Sequence, residues 1–267
     1  AVLADEQVNA VFICTRHDQH ASLALRALEA GKHVLVEKPL ALTEAAVMGL
    51  EHFFEGRDDR PVLFTGFNRR FSPHIERIRS ITSCRTNPMV VNYRINAGYV
   101  PLDHWVHGSE GGGRNLGEAC HVYDLFSCLT DAKCVSVQSS TLAPRTDYYS
   151  SADNFVASFC FDDGSIASLT YTALGHKSVA KETMDIYCDG KVLTLTDYRS
   201  LEVYGCDKPA LNTAEPEKGH KEILNAFADA ICSGQADALP LWQQFQATRM
   251  AISVENAAVF QPAQRAA

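Results

Sequence analysis

Hydrophobic and polar positions along the chain follow one pattern up to about residue 67 and another after it. Residues 8–15 (VNAVFICT) form a continuous apolar run rich in β-branched side chains, the pattern of a strand buried on both faces. Asp18 then stands as a helix cap, Ala21, Ala24, Leu25 and Leu28 recur at helical spacing, and Gly31 ends the segment. A second buried strand, 33–37 (HVLVE), precedes a helix that Thr43 opens, with Ala46, Val47, Leu50, Phe53 and Phe54 on one side. After Pro61 comes a third strand, VLFTGF. Strand, helix, strand, helix, strand in so short a stretch predicts βαβ units and a parallel sheet.

Beyond Phe67 the pattern predicts a helix over 71–82, a strand over 89–96 and a loop carrying Gly98, Pro101, Gly108 and Gly111 to Gly113. Another helix is expected over 116–130. Strand-like runs then follow one another: CVSVQSSTL, DNFVASFCF, SIASLTYTA, ETMDIYC, KVLTLTD and LEVYG. Asp162-Asp163-Gly164-Ser165 and Asp189-Gly190 are hairpin signals between them. Phe155, Ala157, Phe159 and Phe161 alternate with Asn154, Val156, Ser158 and Cys160, so one face of that sheet is the better buried. Helices over 217–233 and 241–259 close the chain. The expectation is a partial parallel α/β unit followed, from a boundary near residue 66, by an α+β domain with an antiparallel sheet of five or six strands. Such a layout places ligands at the carboxyl ends of the parallel strands, in the crevice facing the second domain.

Composition narrows the class. The chain has 267 residues, 46% hydrophobic, 21% charged and 9% aromatic, which is globular usage. No run approaches the roughly 18–20 apolar residues of a membrane span. A net charge of −8 without a Lys/Arg cluster argues against a nucleic-acid binder. Nine cysteines, an odd number without any C-x-x-C, predict reduced core thiols and a cytoplasmic protein, with no metal site.

Three stretches carry candidate chemistry. Thr15-Arg16-His17-Asp18-Gln19-His20 follows the first strand into a helix, where polar groups either orient a ligand or simply cap the turn. Glu37-Lys38-Pro39 ends the second strand. Such a pair is ordinarily a solvated ion pair, but a half-buried lysine there suits proton exchange with a substrate hydroxyl. The third stretch runs from Asn96 through His104 and Trp105 to GGGRNLGEACHVYDLF. Glu118 and His121 share a helix side and Asp124 lies further round, so either carboxylate could set the tautomer of a histidine base, or the stretch is simply a glycine loop feeding a helix with one ordinary polar face. Cys120 beside His121 reads as a core thiol, since adjacent helix residues diverge by about 100°. No G-x-S-x-G, H-E-x-x-H, Walker or EF-hand pattern is present.

Residues 8–39, above all A-G-K-H-V-L-V-E-K-P, resemble the second half of the nucleotide domain of the Gfo/Idh/MocA oxidoreductases. The remainder resembles their substrate domain, and Asn96 to Asp124 is closer still to the oxidoreductase half of bi-domain proteins carrying a zinc-type alcohol dehydrogenase module. The resemblance implies that residues 1–66 are the C-terminal part of a Rossmann-like dinucleotide-binding domain. Residues 67–267 would be a substrate and oligomerisation domain with a largely antiparallel open sheet. It further implies NAD(P)-dependent hydride transfer at a secondary alcohol of a sugar, cyclitol or nucleotide-sugar. Lys38 and His121 would be catalytic. Thr15, His17, His20, Glu37, Lys38 and Pro39 would lie at the cofactor, and Arg94, Asn96, His104, Trp105, Glu118 and Asp124 at a polyhydroxylated substrate. Neither nucleic acid nor membrane is expected as a partner, and the second sheet would support a homo-oligomer.

Two departures stand against that pattern. Many members carry Asp four residues before the catalytic histidine, where this chain has Gly117. The family's opening strand and G-x-G-x-x-G turn have no counterpart here, so the expectation is a fragment of a longer enzyme that binds NAD or NADP once that half is supplied. The alternative is a truncated, non-catalytic homologue serving as an assembly or ligand-binding module.

Overall fold

Three short strands, β1 (Ala10–Ile13), β2 (His33–Val36) and β3 (Leu63–Thr65), pair in that order and in parallel. The helices α1 (His20–Glu29) and α2 (Glu44–Phe54) make the connections between them. The computed structural model describes residues 2–57 and 60–259. Thr43 caps α2 by accepting from the Ala46 amide, and Gly31 takes φ +73° beyond the end of α1. Asp18 is not a cap: it lies in a 3₁₀ turn, His17–Gln19, and α1 starts at His20. Nor is β1 buried on both faces. It is an edge strand, and Phe12 is 58% exposed.

The chain continues through α3 (Pro73–Thr82), β4 (Val90–Asn96), α4 (Cys120–Thr130), β5 (Cys134–Thr141), β6 (Asn154–Phe161), β7 (Ile166–Thr172), β8 (Glu182–Cys188), β9 (Lys191–Thr196), β10 (Ser200–Tyr204), β11 (Leu211–Asn212), α5 (His220–Ser233), α6 (Leu241–Ala257) and β12 (Ala258–Val259). Among the described residues the second sheet has nine strands, in the order β11-β10-β9-β8-β4-β7-β6-β5-β12. It is antiparallel apart from the pairs β4/β7 and β5/β12. The count exceeds the expected five or six because β4 enters its centre, while β11 and β12 are two-residue strands too short to leave a pattern. Both hairpin signals act as turns, with Gly164 at φ +87° and Asp189-Gly190 at +46° and +75°.

The alternation read in β6 holds, since Phe155, Ala157, Phe159 and Phe161 are buried and Val156, Ser158 and Cys160 exposed; Asn154 is buried too. The buried face packs on α3, α4 and α6, in one core with Ile75, Ile78, Tyr123, Phe126 and Met250. The other face is uncovered, and Ile166, Val90 and Tyr187 form an exposed row across three neighbouring strands.

The small parallel sheet is covered from both parts of the chain. Val34, Val36 and Leu63 pack under α1 and α2 together with Phe245 of α6. Leu35 and Phe64 belong to the larger core, where Phe227 of α5 meets Phe64 at 5.6 Å and Phe12 at 5.9 Å between ring centroids. Gln244 of α6 accepts from both the amide and the hydroxyl of Thr65. Covalent order divides the chain near residue 66, but α5 and α6 return to pack on the first unit. All nine cysteines are free thiols; Cys120, Cys128 and Cys188 are buried, whereas Cys14, Cys84, Cys160 and Cys232 are exposed and not core. Among the described residues no helix is long and apolar enough to cross a membrane.

Candidate active site

The carboxyl ends of β1 and β2 open onto a cavity of about 490 Å³ that the second unit closes. Lys38 enters it from the end of β2 and donates through Nζ to the Gly117 carbonyl at 2.7 Å. That carbonyl belongs to a widened π-helical turn, Asn115–Ala119, which leads into α4. Asn115 anchors the turn, donating to the Ala251 carbonyl at 2.8 Å and to Glu255 at 2.9 Å, and accepting from the Tyr123 hydroxyl. The next turn presents His121 to the same cavity.

Both histidines that line the inner wall, His17 and His121, are held neutral. His121 is 6% exposed and is pushed well below its ordinary pKa by burial, then by the positive charges of Arg69, Lys38 and Lys218. Its Nδ1 has no partner among the described residues. Neither Glu118 nor Asp124 bonds the ring, so the expected carboxylate–histidine pairing is absent. His17 is lowered by burial as well, and its Nδ1 lies 2.7 Å from the Gly111 carbonyl. A carbonyl only accepts, so Nδ1 carries the proton and Nε2 keeps a lone pair. Trp105 packs edge-on to the His17 ring at 4.8 Å and carries the Arg16 guanidinium on its own face at 4.0 Å.

Two ionic clusters flank the cavity. Glu118 accepts from Lys181 at 2.7 Å, from Arg114 at 3.1 Å and from the Tyr171 hydroxyl. Burial alone would raise its pKa, but Lys181, Tyr171 and Arg114 outweigh that and hold it at about 2. Glu182 takes Arg69 in a two-pronged pair at 2.9 and 3.0 Å, Lys218 at 2.6 Å and the Tyr93 hydroxyl at 2.8 Å. It too is held at about 2, against the raising effect of burial, chiefly by Arg69 and Lys218.

The expected site residues divide by position. His17, Lys38, His104, Trp105, Glu118 and His121 line the cavity together. Thr15 and Glu37 are exposed at the neighbouring strand ends. His20 is fully buried with Nδ1 at 2.8 Å from the Pro39 carbonyl and Nε2 at 3.1 Å from that of Thr15, so it fastens the two strand-end loops and is not on the cavity surface. Pro39, behind the cis Lys38–Pro39 bond, is buried with it.

Three substrate candidates lie elsewhere. Asp124 is wholly buried and bound by Arg70 through two prongs, because its helix position faces away from the cavity. Arg94 and Asn96 sit on the β4 face opposite the buried Tyr93 and Ile95. They bond the carbonyls of Ala180 and of His176 and Val179 respectively, holding the segment before β8. The cavity instead gains Asn68, Arg69, Arg114, Lys218 and His220, which were not anticipated. Asn68-Arg69 follow β3, the third carboxyl end, so the strand-end rule reaches them; for Lys218 and His220 a glycine before an amphipathic helix was the only local signal. Cys120 is a core thiol as expected, and burial pushes it up to about 12.

Residues 1–62 match the GFO_IDH_MocA family model, described as an oxidoreductase family with an NAD-binding Rossmann fold. Over 271 aligned positions the chain is 24% identical to the uncharacterized oxidoreductase YrbE of Bacillus subtilis, spanning 97% of this chain and 78% of that protein. A stretch of 103 residues is 37% identical to inositol 2-dehydrogenase 2 of Saccharopolyspora erythraea, 38% of this chain but only 30% of that one. Among solved structures, UDP-N-acetylglucosamine 3-dehydrogenase GnnA from Acidithiobacillus ferrooxidans superposes with a TM-score of 0.78 at 25% identity, covering 96% of this chain and 80% of its own. The chain is related to the Gfo/Idh/MocA oxidoreductases.

Gly117 acquires a reason in this Gfo/Idh/MocA relative. A Cβ at that position would stand 2.8 Å from Cε1 of His17, whose ring is fixed by Gly111 and Trp105. The imidazole of His17 occupies the volume that a side chain at 117 needs.

Proposed function

We propose that this chain handles the substrate in NAD(P)-dependent hydride transfer at a secondary alcohol of a small polyhydroxylated molecule: a sugar, a cyclitol or a nucleotide-sugar. The observation that carries the reading is the convergence of Lys38 and His121, from separate units, on one cavity of about 490 Å³, within the range of small-molecule sites. Exposed Thr15 and Glu37 at adjacent strand ends, with Lys38 beside them, fit the nicotinamide end of the cofactor. Gly66 keeps that surface close, since a Cβ there would come 3.0 Å from Glu37 Oε2. When bound, the nicotinamide supplies the hydride acceptor. Lys38 and the neutral His121 hold the substrate hydroxyl between a donor and an acceptor, and the imidazole is free to take the proton. His17 offers a second acceptor, and Trp105 and His104 line the outer part of the cavity.

Turnover by the full chain with either coenzyme, on a panel of polyols and sugars, tests this. Lys38→Met and His121→Asn should each lower kcat/KM by about 100-fold or more. Unchanged turnover in both would remove them from the chemistry. A folded protein that binds ligand yet never turns over would be a binding module. We also infer a homo-oligomer joined through the uncovered sheet face, which Ile166→Asp in the exposed row should dissociate in a light-scattering mass measurement.

A further inference from the structure

The cavity runs against the charge of the molecule. The chain carries −8 overall, yet Lys38, Arg69, Arg114 and Lys218 line the cavity with Glu118 as the single lining carboxylate among the described residues. With the groups paired to these included, Lys181 makes five cations against the three carboxylates Glu118, Asp153 and Glu182. The surplus of two falls half on one wall and half on Lys38 opposite it. Arg69 and Lys218 share the one carboxylate of Glu182. Arg69 spends Nε and Nη2 on it, and its Nη1 has no protein partner among the described residues although the residue is only 6% exposed. Lys218 uses one of its three protons there. His220 opens α5 on the same wall, where the helix N-terminus adds to the positive potential. Gly219 allows the approach: its φ is +80°, and a Cβ would meet the Asn68 carbonyl at 2.4 Å. Opposite, Lys38 has no carboxylate partner among the described residues.

A neutral ligand would offer the free Arg69 N–H and the Lys218 ammonium only hydroxyl acceptors and would leave the surplus charge uncompensated, whereas an anion supplies charge-assisted hydrogen bonds to both. We propose that the substrate carries an anionic group, a carboxylate or a phosphate, received by Arg69, Lys218 and His220 while Lys38 and His121 face its reacting hydroxyl. The second half of that statement rests on the dehydrogenase reading; the anion site does not.

The test is therefore a binding measurement without coenzyme. Sodium D-glucuronate, D-glucose 6-phosphate and D-glucose are titrated into the protein calorimetrically at low salt. At least one anion should bind about tenfold or more tightly than D-glucose, as expected for charge-assisted hydrogen bonds, and the tighter of the two identifies carboxylate or phosphate. Lys218→Met should remove about that factor for the anion alone, whereas Lys221→Met, one helix position beyond His220, should not. Equal affinity for all three sugars, no binding of either anion, or an anion preference untouched by Lys218→Met overturns the proposal. If Lys218→Met does not fold, the comparison of the three ligands on the unaltered protein decides. Anion binding with no turnover would leave this site standing and the dehydrogenase reading fallen; turnover of neutral sugars without anion preference would do the reverse.

Discussion

Glu118 and Glu182 receive the same set of donors, one arginine, one lysine and one tyrosine, and both are held at about 2. They differ in depth. The Glu118 side chain is 22% exposed and its lysine 47%, against 2% for Glu182 and 25% for its lysine, while the two arginines are equally buried. Near the rim, water can replace Lys181 and reach the carboxylate, so that side of the cluster is adjustable. At the floor, removing one partner strands the others in a medium that cannot solvate them, so the cluster is fixed. Equal lists of contacts thus describe a flexible edge and a rigid base of the same cavity.

The largest effect should come from Glu182→Gln, which leaves Arg69 and Lys218 without a counter-charge. About 3–5 kcal/mol of unfolding free energy should be lost in urea titrations. A loss below about 1 kcal/mol would mean that depth does not separate the clusters. Gly117→Asp comes next, costing about 1–3 kcal/mol through the clash with His17. His17→Ala in the same chain should restore most of it, so a double-mutant cycle with no coupling would refute the steric account. Glu118→Gln should cost about 1–2 kcal/mol, less than its deeper counterpart. The smallest effect belongs to Lys181→Met, under about 1 kcal/mol because the lysine is half in solvent. Acid sharpens the same contrast. Both carboxylates are depressed from 4.5 to about 2, so each contributes stability that is fully present above 4.5 and lost as the pH falls toward 2. In unfolding curves across that window, Glu182→Gln should flatten the acid limb more than Glu118→Gln does.

Local pattern carried much of this architecture. Apolar runs broken by Thr43 and Gly31 marked the parallel unit, and alternation in β6 marked which face of the larger sheet is buried. Lys38, His17 and His121 were legible because strand ends and a glycine-rich loop are local features. Arg69 stands at a strand end too, but its pairing was not legible, since Glu182 lies 113 residues away and nothing near either residue announces the pair. The misplacement of Arg94 and Asn96 comes from the two-residue period of β4: the inward face is taken by Tyr93, which bonds Glu182, and Arg94 and Asn96 point the other way. Asp124 was misplaced because α4 is buried all round, and polarity on such a helix points to an ion pair as readily as to a ligand.

α5 touches two things at once. Phe227 wedges against Phe12 and Phe64 of the parallel sheet, while Lys218 and His220 border the cavity at the other end. A helix is stiff over that length, so it behaves as a lever with its fulcrum in the core. Adjusting the aromatic wedge would tilt the cationic wall, and selection acting on ligand affinity and on sheet packing cannot move one without paying attention to the other.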